Sequence, residues 1–118
     1  MAKETIRVLF KDGNMDTIPE KLYDDYDYHD RWFIILKKDR PIASYNIDDV
    51  AKITVGNLEK EYSAKKGIRL YFRDYSKSLI PKKKYTGVEY FDGLFIVKRK
   101  TQWVGIYNRT ALSAVSTD

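Results

Sequence analysis

The feature that most constrains this chain is an internal echo. Moved by 62 positions, residues 6–54 lie over residues 68–116 with no gap. Ile6-Arg7 falls on Ile68-Arg69, Phe10 on Phe72, Asp12 on Asp74 and Ile18-Pro19 on Ile80-Pro81. Lys21, Tyr23, Tyr28 and Asp30 meet Lys83, Tyr85, Tyr90 and Asp92. Phe33-Ile34 meets Phe95-Ile96, Lys38 meets Lys100, and Tyr45-Asn46 meets Tyr107-Asn108. These are 15 identities in 49 pairs, and others trade one apolar residue for another, such as Ile42 for Val104. Such a match at one ungapped offset reads as a tandem duplication. The expected division is repeat 1 over residues 1–55, a linker or short helix over 56–67, and repeat 2 over 68–118. Asn57 would cap that helix and Gly67 would end it, with Leu58 and Tyr62 on one face.

Each repeat reads as strands. Ile6, Val8 and Phe10 alternate with Arg7, Leu9 and Lys11, a period of two. Asp12-Gly13-Asn14 is a turn signal, and Pro19 lacks a ladder donor and should end the second strand or sit at an edge. Tyr26 to His29, Trp32 to Lys37 and Ile42 to Tyr45 follow as strands, with turns at Asp30-Arg31 and Lys38 to Pro41. Asn46 to Asp49 looks like a capped helical turn before a last strand, Val50 to Val55. Gly13 is replaced by Tyr75 and Arg31 by Gly93, so the first turn of repeat 2 is expected to differ in shape from that of repeat 1.

The expected fold is all-β or mostly β: two tandem small barrel-like repeats packed about a pseudo-twofold axis, or merged into one sheet system. The pattern of four or five short strands with a helical turn before the last resembles SH3-like and Sm-like small β-barrels. The Arg-Gly-Asp/Asn element of Sm proteins is missing here, so no RNA-binding residues are carried over.

Composition removes much chemistry. There are no cysteines, hence no disulfides, thiolate metal sites or thiol nucleophiles. The single histidine, His29, leaves no His-rich metal site, and no P-loop, GxGxxG, GxSxG or HExxH pattern occurs. No metal or other cofactor and no enzymatic activity are expected. No apolar run approaches the roughly 20 residues that span a bilayer, and no secretory leader or lipidation motif is visible, so a cytoplasmic placement is expected.

Three groups of residues are candidate sites. The first is the acidic stretch Asp24, Asp25, Asp27 and Asp30 around His29. It could hold Mg²⁺ or act as an acid–base group, but the plainer reading is the wet face of a strand, since repeat 2 shares little of the charge. The second is the basic surface of repeat 2: Arg69, Arg73, Lys82, Lys83, Lys84, Lys98, Arg99 and Lys100, with Trp103 close by. Cations interleaved with aromatics can hold phosphates and stack bases, whereas the plainer reading is lysines guarding edge strands. The third is drawn from the tyrosines with no tyrosine counterpart, Tyr26, Tyr62, Tyr71 and Tyr75: Tyr26, Tyr71 and Tyr75 with Trp103 could anchor a protein interface.

The net charge of +5 hides a division. Residues 1–57 hold 9 basic and 11 acidic side chains, a net of −2, and residues 58–118 hold 13 and 6, a net of +7. A small, tyrosine-rich, charge-divided chain without catalytic equipment is read as a non-enzymatic binding protein. In size and composition it is similar to small phage proteins that block host defences, including anti-CRISPR proteins. The expected partner is a host protein or nucleoprotein, met by Asp24, Asp25, Asp27, Asp30, Tyr26, Tyr71, Tyr75 and Trp103. The alternatives are nucleic-acid binding by the basic repeat and a small-ligand sponge in the cleft between repeats. Pairing of the chain with a second copy, as a homodimer or head to tail, is a further expectation.

Overall fold

The computed structural model describes residues 4–63 and 65–117. Its strands are β1 (Ile6–Phe10), β2 (Met15–Ile18), β3 (Asp25–His29), β4 (Trp32–Lys37), β5 (Arg40–Asn46) and β6 (Val50–Val55), then β7 (Lys60–Glu61). After these come β8 (Gly67–Phe72), β9 (Lys77–Pro81), β10 (Gly87–Phe91), β11 (Leu94–Arg99), β12 (Gln102–Asn108) and β13 (Leu112–Thr117). Short 3₁₀ turns stand at Glu20–Leu22, Ile47–Asp49, Lys82–Lys84 and Arg109–Ala111. The 62-residue offset carries β3 to β6 onto β10 to β13, bound for bound. The β-bulges follow the same offset: Ile42 and Val104 are the extra residues opposite β4 and β11, as are Ala51 and Ser113 opposite β1 and β8. Asn46 and Asn108 both accept from the N–H two residues on, holding the 3₁₀ turn that follows each.

The strands make three open sheets and not barrels. A six-stranded sheet has the order β10-β11-β12-β6-β1-β2, a four-stranded one β13-β8-β9-β7, and a three-stranded one β3-β4-β5. Two causes work against closure, the first in both halves and the second in the first half alone. Pro19 and Pro81 sit in extended backbone at φ −62° and −61° and turn the chain off one sheet toward another. The second edge of β6 is then taken by β12 of the other half, with Gly105 opposite Thr54, Ile106 opposite Ile53 and Tyr107 opposite Lys52.

That pairing also corrects the expected pseudo-twofold. A twofold would pair β5 with β13 just as β12 pairs with β6. Among the described residues β5 pairs only with β4, and β13 only with β8. The six-stranded sheet lies between the other two. Tyr107 and Lys52 on one face both touch Phe72 of the four-stranded sheet, at 6.2 Å between ring centroids and 4.7 Å from Nζ to ring. On the opposite face Trp103 and Phe91 touch Tyr28 of the three-stranded sheet, at 5.4 and 6.4 Å, and Phe10 touches Tyr45 at 5.9 Å. Strands covered on both sides need near-continuous apolar runs. Leu94-Phe95-Ile96-Val97 and Val104 to Tyr107 supply them and are buried throughout. One core spans both halves.

The segment between the halves is extended and carries β7, with no helix among its described residues. Leu58 is buried and fills the space above Gly105, where an added Cβ would come within 2.7 Å of Leu58 Cδ2. Gly67 opens β8 at φ +147°, with its Cα side against the Ile80 carbonyl. The first turns of the two halves have one shape, not two. Gly13 and Tyr75 both take positive φ, 92° and 73°. Both donate back, to Phe10 and Phe72, at 3.0 Å. Asp12 and Asp74 each accept from the N–H two residues on at 2.9 Å, so the retained aspartate dictates the turn and Tyr75 bears the strain.

Candidate functional site

The outer face of the three-stranded sheet is the most distinctive surface. Period-two alternation turns Tyr26 and Tyr28 inward and Asp25, Asp27 and His29 outward. Register places Asp25 beside Leu36, Asp27 beside Ile34 and His29 beside Trp32. On the other side of β4, Ser44 stands beside Ile34, with Ile42 bulged out next to it. The result is an apolar strip of Trp32, Ile34, Leu36 and Ile42 with two carboxylates along one margin. Trp32 is 43% and Ile42 49% exposed, whereas their counterparts Leu94 and Val104 are 2% and 1% exposed. Two strand pairs that correspond at the 62-residue offset thus have different surroundings. Sequence reasoning missed Trp32, Ile34, Leu36 and Ile42, because apolar residues in a strand read as core. The available signal was Ser44 standing where the other half has Ile106.

The acidic stretch does not act as one group. Among the described residues Asp25 and Asp27 each accept from the next N–H, and both face solvent. Asp24 accepts from Lys38 N–H at 2.9 Å and holds the β4–β5 turn. Asp30 sits at the β3–β4 turn with φ 51°. Its neighbour Arg31, not predicted as a site residue, joins the halves. Arg31 donates to Asp48 Oδ1 at 2.6 Å and to the Asp92 carbonyl at 2.8 Å, and Tyr28 donates to Asp92 Oδ2 at 2.8 Å. The hydrogen bond to Asp48 raises the Arg31 pKa further. Among the described residues no cluster of three or more His, Asp or Glu is arranged to hold a metal ion.

Tyr26 and Trp103, two of the predicted aromatic anchors, pack inward against the core. The Tyr26 hydroxyl donates to the Trp103 carbonyl, and burial raises its pKa well above the usual phenol value. Burial and then the Asp92 hydrogen bond do the same for Tyr28. Tyr26, Tyr28, Gln102 and Trp103 line a cleft of 640 Å³ between the halves, the location imagined for a small ligand. Tyr75 stands alone at a turn tip, 95% exposed.

The basic residues fall into two places. Lys82, Lys83 and Lys84 lie beside the end of β11, because Arg99 Nε donates to the Lys84 carbonyl at 3.3 Å and Lys100 N–H to Thr86 Oγ1 at 2.6 Å. Within this group Lys98 pairs with Glu89 and Arg99 with Glu4, both at 3.1 Å. Arg69 and Tyr71 instead share the outer face of the four-stranded sheet, and Arg73 binds the Leu112 carbonyl at 3.3 Å. There Tyr71 meets Tyr62, hydroxyl to hydroxyl at 3.0 Å, and Lys77 lies 4.5 Å from the Tyr62 ring centroid. The Tyr62 hydrogen bond raises the Tyr71 pKa. Tyr62 and Lys77 were not predicted as site residues, since only pairing of β8 with β9 brings Lys77 beside Tyr71.

Comparison with protein-family models, with curated proteins and with solved structures finds no match. No helix among the described residues is long and apolar enough to cross a membrane.

Proposed function

We propose that the chain is a non-enzymatic binding protein, derived by duplication of one strand unit, that docks a protein partner on the outer face of the three-stranded sheet. The observation that carries this reading is the apolar strip of exposed Trp32 and Ile42 with half-buried Ile34 and Leu36, and Asp25 and Asp27 at its margin. An apolar centre with a charged rim is how protein interfaces are built, and Trp is prominent among their anchors. The partner's chemistry follows by complementarity: an apolar ridge flanked by Lys or Arg. An inhibitor of a host protein or nucleoprotein, of the kind phages and mobile elements carry, fits such a surface.

The test compares captures from nuclease-treated native lysate. Trp32→Ala with Asp25→Lys and Asp27→Lys should lose a partner that wild type retains, at unchanged melting temperature. Equal capture by the two proteins would refute the docking face. Asp24 stays unmutated because it holds a turn.

A second reading, nucleic-acid binding, is favoured by the Tyr62, Tyr71, Lys77 and Arg69 face, where cations and aromatic rings stand together. Single-stranded binding there should weaken steeply between about 50 and 200 mM salt. Anisotropy of a labelled oligonucleotide that ignores salt would sink this reading.

A further inference from the structure

We infer that a second copy of this chain pairs its β13 with β5 of the first, antiparallel, with Ala43 opposite Ser116, Ser44 opposite Val115 and Tyr45 opposite Ala114. This ladder would repeat between chains the one that joins the halves within a chain. There Gly105, Ile106 and Tyr107 of β12 face Thr54, Ile53 and Lys52 of β6. Under the 62-residue offset, β12 corresponds to β5 and β6 to β13. One such pairing is made inside the molecule. The strands of the other both stand at sheet edges. They belong to the two outer layers, on opposite faces of the central sheet, so one chain cannot pair its own β5 with its own β13. A second copy can.

The space for it is present. A groove of 530 Å³ runs between β13 and the β10–β11 turn, lined by residues that include Tyr90, Gly93, Phe95, Leu112, Ala114 and Val115. The matching space in the first half, between β6 and the β3–β4 turn, is filled by the other half. Phe91 packs on Tyr28, and Asn108 Nδ2 donates to the Ile47 carbonyl at 3.0 Å. The polar residues that make the internal contact survive where the chain itself offers no such contact. Tyr28 has Tyr90 as counterpart, Asp92 has Asp30, and Asn108 has Asn46. Between copies, Tyr90 of one chain would donate to Asp30 of the next, and Asn46 to the Arg109 carbonyl. Tyr90 is 74% exposed in the single chain and available for this. Charge favours the same order, because the half that offers β5 is net −2 and the half that offers β13 is net +7.

The contact is heterologous, so its repetition closes a ring or extends a filament according to the rotation between halves. It is also weaker than its internal template. Pro41 stands for Trp103, Ser44 for Ile106 and Gly93 for Arg31. Pro41 precedes the paired segment and does not interrupt it. This inference does not rest on the docking proposal: the purified chain alone tests it, whereas partner capture tests the other. A second copy and an external partner would compete at Ile42.

The chain lacks cysteine, which makes cross-linking clean. Ser44→Cys and Val115→Cys are made as separate proteins, mixed and oxidised. The paired register predicts a mixed disulfide-linked dimer, because opposed strand positions bring Cα atoms within bridging range. It should exceed by about tenfold, on the order of 1.4 kcal/mol, the yield from Ser44→Cys mixed with an off-register Ser113→Cys. Sedimentation of the wild type should show mass above one chain that grows with concentration and shrinks with salt. A chain that stays monomeric at high concentration and low salt, with equal cross-linking in both mixtures, would overturn the inference.

Discussion

Tyr45 and Tyr107 occupy the same place in the two halves, yet their surroundings differ. Each packs on a phenylalanine of its own half, Phe10 at 5.9 Å and Phe72 at 6.2 Å. Each donates to a carboxylate, Asp16 for Tyr45 and Glu59 at 2.6 Å for Tyr107. The strand around Tyr107 is sealed between two layers, while the strand around Tyr45 is an edge with one face in water. The local fold is the same, so the difference comes from what lies beside each strand. Burial belongs to the assembly of the halves and not to the unit itself.

Exchanging residues between the halves should break this comparison where burial differs most. Ile106→Ser gives the sealed strand the residue of its exposed counterpart, against Ile53 and Ile96 in the core. It should destabilise by about 3 kcal/mol, from lost transfer energy, a cavity and an unpaired hydroxyl. The reverse change, Ser44→Ile, should move stability by no more than about 0.5 kcal/mol. Denaturant midpoints for the pair measure the asymmetry, and equal costs would deny it.

Gly105→Ala is next in size. Its Cβ would meet Leu58 Cδ2 at 2.7 Å and the Tyr107 ring at 3.0 Å. Overpacking of that kind costs about 1–3 kcal/mol. The counterpart is already alanine, Ala43, because no linker residue presses on it. Leu58→Ala in the same background should recover part of the Gly105→Ala cost, read as a double-mutant cycle.

Alkaline pH probes the tyrosines. Burial, aided by Glu59, holds Tyr107 well above the usual phenol pKa of 10.0, and burial with Asp16 raises Tyr45 as well. A pKa raised by folding means that the folded state keeps protons the unfolded chain has released. The stabilisation is therefore complete below about pH 10 and is lost as pH rises beyond it. Melting temperature should fall above about pH 10, with a shallower fall in Tyr107→Phe. A slope unchanged by that substitution would mean that Tyr107 ionises as in the unfolded chain.

A smaller effect concerns the matching turns. Tyr75→Gly should stabilise by about 0.5–1 kcal/mol, since Tyr75 pays for a left-handed backbone that Gly13 adopts freely. Gly13→Tyr should cost a similar amount.

Much of the fold is legible in the residues. Alternation placed the strands, Asn46 the 3₁₀ turn that follows it, and Pro19 the end of the second strand. The turn at Tyr75 departs from what its missing glycine suggests, because the side chain of the retained Asp74 organises the loop. The exposed strip around Trp32 was illegible for another reason. Ile34 and Ile96 are the same residue in the same alternation, and only one is covered.

The amino-acid order by itself determined that the chain is β-rich, that β3 to β6 recur 62 residues on, and where most strands turn. Those features rest on backbone preferences and side-chain alternation within a few residues. The tertiary structure alone decided that β12 takes the edge of β6, that three layers replace two barrels, and that one strand unit is sealed while its twin is exposed. Pairing of edges far apart in sequence is chosen by which apolar faces can be covered together. That is a property of the whole molecule, and no single stretch of residues encodes it.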